Sequence, residues 1–308
     1  MRLFLLNRLF QACTTAFGVL TLVFFIQRLT GDPTALLLPE TATQEDFEAM
    51  RKTLGFDRPL IEQYLSFLGD MVQFDLGKSF IQNAPVAEIL ASRIPQTLQL
   101  AGGALVVAFA IGLPLGAIMA LQRGKWISRW IMGFVLACQS MPTFWSGIMM
   151  IMVFGVWLKW LPPSGTGTLA HLVMPSIALG LLSLATYARI TRSAVVDELG
   201  RDYIRSARAR GVKTPRLVGK HLLRNSAIPV ISITALEVSQ LLAGAVIVET
   251  VFAWPGLGQL TVQSIASRDF AVVQAVVLLG AWVTIFANLL ADILYSIIDP
   301  RVRLGTSL

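Results

Sequence analysis

Charge is what this sequence has least of. Only 14% of its 308 residues are Asp, Glu, Lys or Arg, where a soluble domain carries about a quarter, and the mean hydropathy is +0.68. That excludes an ordinary soluble globular domain. The scarcity is also organised. No charge falls between Arg8 and Arg28, Arg93 and Arg123, Arg129 and Lys159, Lys159 and Arg189, or Asp269 and Asp292. About 20 apolar residues cross a hydrocarbon core as a helix, and each interval is long enough. A further apolar stretch, Ala227 to Val251, contains Glu237 and Glu249.

Catalytic side chains are equally thin. The two histidines, His171 and His221, stand alone at the edges of apolar stretches. There is no HExxH for zinc, no GxSxG around a serine, and no Ser/His pair placed at membrane depth. Cys13 and Cys138 both lie in apolar stretches without a nearby partner, so neither a disulfide framework nor metal-ligand spacing is present. Asp75-Leu76-Gly77-Lys78-Ser79 has the tail of a phosphate loop, but the glycine needed five residues before Gly77 is Val72. The chain is expected to be no enzyme and to bind no cofactor or metal of its own.

What is present is an all-α polytopic membrane pattern. Six transmembrane helices are expected at about 9–28, 97–121, 131–157, 172–190, 227–250 and 271–298. The first reads as an uncleaved helix, since a long apolar stretch is followed by GDPTALLLPE with no small-residue cleavage site. Basic residues set the orientation. Arg2 and Arg8, then Arg123, Lys125 and Arg129, then Arg189 through Arg224, then Arg301 and Arg303 all fall on one side of six spans. Both termini are therefore expected in the cytoplasm. The organisation is an N-terminal helix over 1–29, an extracytoplasmic helical insertion over 30–92, and a core of five helices over 93–308 with a cytoplasmic loop over 191–226.

In the insertion, Thr43 with Asp46 three residues on reads as a helix start that Gly55 closes. Asp57-Arg58-Pro59 opens a second helix with Leu60, Ile61, Tyr64, Leu65, Leu68 and Met71 at helical spacing. This element suits a lid on the membrane domain or a docking surface for an outer partner. LPPSGTGTLAH after the third span reads as an outer loop. Gly112-Leu113-Pro114 and Ser140-Met141-Pro142 are helix disruptors inside spans two and three.

The segment ELGRDYIRSARARGVKTPRLVGKHLLRN, Glu198 to Asn225, concentrates basic charge. It is short, tethered at both ends and holds one aromatic residue, which argues against nucleic acid. A cytoplasmic loop is basic in any case. The shape carries more information: a helix is expected from Asp197 to Arg210, with Tyr203, Ile204 and Ala207 on its less polar face. Gly211 terminates it, and Thr214-Pro215 starts a second helix. Two helices around a tight turn make a knob suited to a protein partner.

Here the chain resembles the permease subunits of binding-protein-dependent ABC importers, in the dipeptide/oligopeptide/nickel branch. Against that family's EAA-x3-G-x9-I-x-LP loop it departs, with Arg205, Ser206 and Ala207 at the EAA positions and His221, Leu223 and Arg224 at I-x-LP. It keeps the alanine and Gly211, and DYIRSARARG, HLLRN and Ile228-Pro229 are similar to the peptide/nickel branch. Gly31-Asp32-Pro33, the DLGKS of Asp75 to Ser79, Arg93 to Leu98, Glu249-Thr250-Val251-Phe252, Trp254-Pro255-Gly256-Leu257-Gly258 and Asp299-Pro300-Arg301 follow in the branch's order. The long insertion after the first span is similar to the first permease of the pair.

The resemblance implies an ATPase-coupling element built from Tyr203, Arg205, Ser206, Ala207, Arg208, Arg210, Gly211, Thr214, Pro215 and Arg216. It also implies a second homologous permease, two cytoplasmic ATPase subunits that hold the ATP and Mg, an extracytoplasmic substrate-binding protein, and the bacterial inner membrane as location. Short peptides are the expected cargo. Nickel or another small solute is the alternative, and a stand-alone channel or secondary transporter the alternative of another class. Within the bilayer, Glu237 is costly unless it faces a cavity or a partner side chain. It is expected on the translocation path, or else as a structural hydrogen-bond partner. Gln240, Gln139 and Ser140 are further path candidates, while Asp292 and Asn288, one turn apart, suit hydrogen bonds between helices.

Overall fold

A computed structural model describes residues 2–29, 43–53, 55–79, 81–210 and 223–298, with the backbone alone at 2–9, 27–29, 53, 205, 207–208, 223–228, 232, 235 and 291–298. Gly31 to Pro33, Gly211, Thr214, Pro215, Arg216, His221 and Asp299 to Arg301 lie outside the described residues. The chain divides into two compact units, one made of Met1–Pro95 with Leu260–Phe286 and the other of Gln96–Gln259 with Ala287–Leu308.

In the first unit, α1 (Arg2–Leu29) is followed by two short helices, α2 (Gln44–Thr53) and α3 (Leu60–Val72). The start of α2 is a reciprocal cap. Asp46 Oδ2 accepts from the Thr43 N–H at 2.9 Å and its hydroxyl at 2.7 Å, and the Asp46 N–H returns to Thr43 Oγ1 at 3.3 Å. These bonds, the hydroxyl's first, hold the Asp46 carboxyl below its usual pKa. Gly55, at φ +72°, ends the helix, and the Phe56 N–H reaches back to the Arg51 carbonyl at 2.8 Å. A two-residue hairpin then pairs β1 (Lys78–Ser79) with β2 (Ala84–Pro85), Ser79 opposite Ala84. Ser79 is buried and donates to the buried Asp269 carboxylate at 2.5 Å. The GKS stretch thus anchors a hairpin.

Helix α4 (Val86–Leu121) begins eleven residues before the span expected at about 97–121, because Val86, Ile89 and Leu90 bury at i, i+3 and i+4. It runs on through Pro95 and Pro114, so Gly112-Leu113-Pro114 does not interrupt it. Gly112 and Gly116 serve instead as a seam with α7 (Leu169–Leu199). A Cβ on Gly112 would stand 3.1 Å from the Leu184 carbonyl oxygen, and one on Gly116 only 2.5 Å from that of Ala188. Across the seam, a Cβ on Gly180 would stand 2.8 Å from the Ala104 carbonyl oxygen. Small residues let two backbones meet where apolar burial gives no drive in lipid.

The span expected at 131–157 is not one straight helix. Helix α5 (Trp126–Ser140) ends at Met141, and α6 (Thr143–Met150) continues through a π-helical turn (Ile151–Trp157), the two arms bent by 99°. Proline removes one N–H and forces the preceding residue out of helical geometry, and Met141 is extended at φ −75°, ψ 128°. Helix α7 reaches Leu199, and the helix expected over 197–210 is broken at Gly200-Arg201, so that α8 covers only Asp202–Ala209. Helices α9 (Leu223–Val251), α10 (Leu257–Ala266) and α11 (Phe270–Ile298) complete the chain.

Among the described residues, α4, α7 and the Phe270–Leu290 part of α11 are long and apolar enough to cross a membrane, and the bent α5–α6 pair makes a fourth crossing if counted as one. The chain is a mostly helical polytopic membrane protein. The core of the second unit joins Leu100 and Ala104 of α4, Met174, Ala178 and Leu179 of α7, Leu241, Ala245 and Val248 of α9, and Phe252 and Trp254 beyond it.

Candidate functional site

The basic knob begins with a helix pinned at its base. Ile204 is fully buried against Val195 of α7 and Ala120 of α4. The Tyr203 hydroxyl donates to Glu198 Oε2, and Arg201 Nε lies 3.6 Å from Glu198 Oε1. One end of α7 thereby holds α8 by an apolar plug and a polar tie, while Ser206 and Arg210 are exposed and Tyr203 is 37% exposed. The α8 backbone also carries Arg205, Ala207 and Arg208. Ile204 was legible in advance only as part of an apolar face, and Glu198 was missed.

Inside the bilayer pattern, α7 and α9 share a polar ladder. Ser183 donates to Glu237 Oε2, and one turn on the Tyr187 hydroxyl donates to Thr234 Oγ1 at 3.2 Å. Glu237 is only 5% exposed. A buried carboxylate needs such a donor. Gln240, three residues on, is exposed, and so are Gln139 and Ser140 at the end of α5, where the Ser140 hydroxyl donates to the Leu136 carbonyl at 2.9 Å. The structure thus pairs Glu237 with Ser183 and leaves the other three on the surface of the chain. Asn288 sits on α11, and the Asp292 side chain is outside the described residues.

A third cluster carries more geometry than any residue singled out from sequence. Glu249, at the end of α9, is fully buried. Its Oε1 accepts from the Thr97 hydroxyl at 2.7 Å, and its Oε2 from the Gly258 and Gln259 N–H groups at 2.7 and 3.1 Å. Thr97 Oγ1 in turn accepts the Leu257 N–H at 2.8 Å. The carboxylate thereby caps the first turn of α10, where free N–H groups and the helix dipole favour a negative charge. The Trp254 indole donates to the Gln96 carbonyl at 2.9 Å, and the Gly165 N–H to the Phe252 carbonyl at 2.9 Å. A Cβ on Gly256 would overlap Glu249 Oε1, and one on Gly258 would overlap the Val246 backbone. The E-T-V-F-A-W-P-G-L-G stretch is therefore a latch joining α4, α9, α10 and the loop before α7. Two close-packed glycines seven and nine residues after an acid were its signal.

His171 Nδ1 pairs with Thr168 Oγ1 at 2.9 Å beside the start of α7, a structural contact. No group of three metal-ligating side chains occurs among the described residues. A cavity of about 540 Å³ between α1, α10 and the start of α11 is lined by Leu22, Val23, Phe270 and Val273 with Arg268 at its edge, and holds none of the expected site residues.

Residues 112–304 match the family described as "Binding-protein-dependent transport system inner membrane component", and residues 1–101 match its N-terminal companion. The chain belongs to this family of permeases. It is a component of the bacterial inner membrane, and two transport permeases match it almost from end to end. A glutathione transport system permease protein, GsiC of Escherichia coli O6:H1, is 41% identical over 301 residues, which cover 97% of this chain and 98% of that one. A di/tripeptide transport system permease protein, DppB of Pseudomonas aeruginosa, is 39% identical over 331 residues, covering 97% and 98%. In fold, the permease is similar to a chain of the inward-facing MetNI methionine ABC transporter. The TM-score is 0.58 at 22% identity, over 70% of this chain and 98% of that one.

Proposed function

We propose that this permease is one of two membrane subunits of an ATP-driven importer that brings short peptides into the cytoplasm. The observation that carries this is the end-to-end match to permeases of glutathione and di/tripeptide transport systems. Six spans cross the membrane with both termini inside. A substrate-binding protein delivers cargo at the outer face, and two ATPase subunits supply ATP and Mg chemistry from the cytoplasm. Residues Tyr203 to Arg216 form the element that docks on an ATPase.

The described contacts suit that mechanism. A push on α8 reaches α7 through Ile204 and Glu198. From α7 it reaches α4 through the glycine seam and α9 through Ser183–Glu237 and Tyr187–Thr234. Such a set of rigidly packed helices moves as a body between two arrangements, which is what alternating access requires. Gln139, Ser140 and Gln240, exposed within apolar segments, are the proposed lining of the path where the second permease faces this one. Glu237, three residues from Gln240, is the acid proposed to meet a peptide's amino group.

The test is to tag the chain in its own membrane, extract it in mild detergent, and then follow uptake of labelled dipeptide, glutathione and nickel ion in cells with and without it. A second permease and two ATPase chains at matched amounts, with peptide uptake lost on deletion, is the expected result. A chain that extracts alone, or a deletion that spares peptide uptake, overturns the proposal.

A further inference from the structure

Helix α3 has no buried residue, yet it is strongly apolar. Leu60, Ile61, Leu65 and Val72 are 57, 66, 61 and 80% exposed, and Phe74 just beyond it is 76% exposed. At about 100° per residue the helix has three faces. Tyr64 and Phe67 form the first, packed on Phe24 of α1 with ring centroids 5.2 and 5.6 Å apart, and the Tyr64 hydroxyl pairs with Thr21 Oγ1 at 2.6 Å. Glu62, Gln63, Ser66 and Asp70 form the second. Ile61, Leu65, Leu68 and Val72, spaced i, i+4, i+7, i+11, form the third, whose large side chains lie mostly open.

The register against neighbouring helices fixes the depth of that open face. Thr21 lies seven residues before Arg28, so at 1.5 Å per residue it sits about 10 Å inside the outer end of α1. Phe74 meets Trp282, with ring centroids 6.4 Å apart. Trp282 is twelve residues into α11, about 18 Å along that helix, with its ring leaning back toward the helix start. Ser79 then bonds Asp269, immediately before α11 begins, which returns the chain to the rim. Between Pro59 and Ser79 the chain therefore goes down beside α1 and comes back up.

We infer that α3 and the turn at Phe74 form a re-entrant segment embedded in the outer leaflet, with the Ile61–Leu65–Leu68–Val72 stripe on lipid acyl chains. This rests on the proposed reading of α1 and α11 as membrane spans. Helix α1 likewise leaves large apolar side chains open, with Phe17, Phe25 and Ile26 55, 47 and 54% exposed. Asp70 falls on the side of α3 turned away from the stripe and Glu62 at its flank. A helix with one apolar and one polar face is the form that lies at a bilayer boundary. The insertion after the first span is then in part an anchor in the membrane, where sequence alone suggests a lid or docking surface.

The experiment places a nitroxide at Leu65→Cys and at Val72→Cys in the Cys13→Ser chain, keeping the buried Cys138, with the intact importer in phosphatidylethanolamine/phosphatidylglycerol vesicles. Phe17→Cys on α1 reports a span, and Gln63→Cys the polar face of α3. Collisions with oxygen, which partitions into lipid, are compared with those of a water-soluble nickel chelate. Positions 65 and 72 should match position 17, with an oxygen-to-nickel collision ratio several-fold above that at 63. Nickel contact at 65 and 72 while 17 stays oxygen-rich puts α3 in water and overturns the inference alone. Neither collider reaching 65 and 72 means that a protein covers the stripe, which also overturns it. Nickel contact at 17 itself removes the span reading and the inference with it.

Discussion

Glu249→Ala removes the acceptor at the centre of the latch. Two backbone N–H groups, of Gly258 and Gln259, and the Thr97 hydroxyl lose their partner at a site where Glu249 is fully buried. An orphaned buried donor costs about 1–3 kcal/mol. With the hydroxyl free to turn elsewhere, the two N–H groups should cost about 2–6 kcal/mol. Glu249→Gln keeps the volume, its oxygen still accepting from the α10 N–H pair and its amide donating to the Thr97 hydroxyl, but it loses the charge that strengthens the cap, at about 1–3 kcal/mol. Gly256→Ala attacks the same contact from the other side, because its Cβ would overlap Glu249 Oε1.

The assay is heating of a detergent extract of a fluorescent fusion, followed by the fraction left monodisperse on size exclusion. At about 2 °C per kcal/mol for a large chain, Gln should lower the midpoint by about 2–6 °C and Ala by about 4–12 °C. Gly256→Ala should fall in the range of the Gln variant or below it. A Gln variant within about 1 °C of the parent refutes the reasoning, since a buried charge-assisted cap cannot be exchanged for an amide at no cost.

Glu237→Gln should keep folding, because Gln Oε1 still accepts the Ser183 hydroxyl, while uptake of peptides with a free amino terminus falls several-fold; unchanged uptake and preference remove Glu237 from the path. Gly116→Val pushes two methyls toward the Ala188 carbonyl and Thr191 and should cost about 1–3 kcal/mol by overpacking, read in the same heating assay. Deleting Arg208 to Arg216 should abolish transport and ATPase association while leaving membrane insertion intact, checked by copurification and fractionation; normal uptake sinks the coupling role. Lowering the pH should loosen the start of α2, because a carboxyl with a depressed pKa stabilises above its unfolded value and loses that effect as pH falls through the folded one. Thr43→Ala should erase this pH dependence in hydrogen exchange at Asp46 and Phe47.

Much of this was visible in the residues because polar and apolar side chains obey local rules. The Thr43–Asp46 cap, Gly55 and the extended residue before Pro142 follow from side-chain and proline geometry within a few positions. The break at Met141 was legible but the 99° turn was not, since proline ends a helix without setting where the next one points. Gly112-Leu113-Pro114 misled for the opposite reason: Gly112, like Gly116 one turn on, faces α7, and that contact is invisible until α7 is placed. Val86 to Leu90 were hidden by the charges around them, and tertiary burial extended the helix. The glycines after Glu249 hinted at a tight turn, but its bond to Thr97 could not be seen because the two are 152 positions apart. An acid in an apolar stretch announces that it needs donors without saying whose.

The same asymmetry explains why α7 is central. Beside side-chain packing such as Phe109 on Tyr187, it meets α4 backbone against backbone, 2.5 Å from a missing Cβ at Gly116 and 2.8 Å at Gly180. A side chain absorbs a displacement by changing rotamer, whereas a glycine seam has no side chain to turn. The α7–α9 face is tied differently, by hydroxyl donors on a buried carboxylate and a threonine. Breaking those bonds in an apolar setting is costlier than moving both helices together. At the end of α7, the bend at Gly200-Arg201 turns α8 aside and Ile204 plugs it back against α4 and α7. On the proposed reading, force applied to the exposed side of α8 passes through the Ile204 plug and the Tyr203–Glu198 tie into α7, and from there to Glu237 and the glycine seam. Charge alone would mark a cytoplasmic loop, whereas the fully buried Ile204 also fixes where α8 sits against α4 and α7.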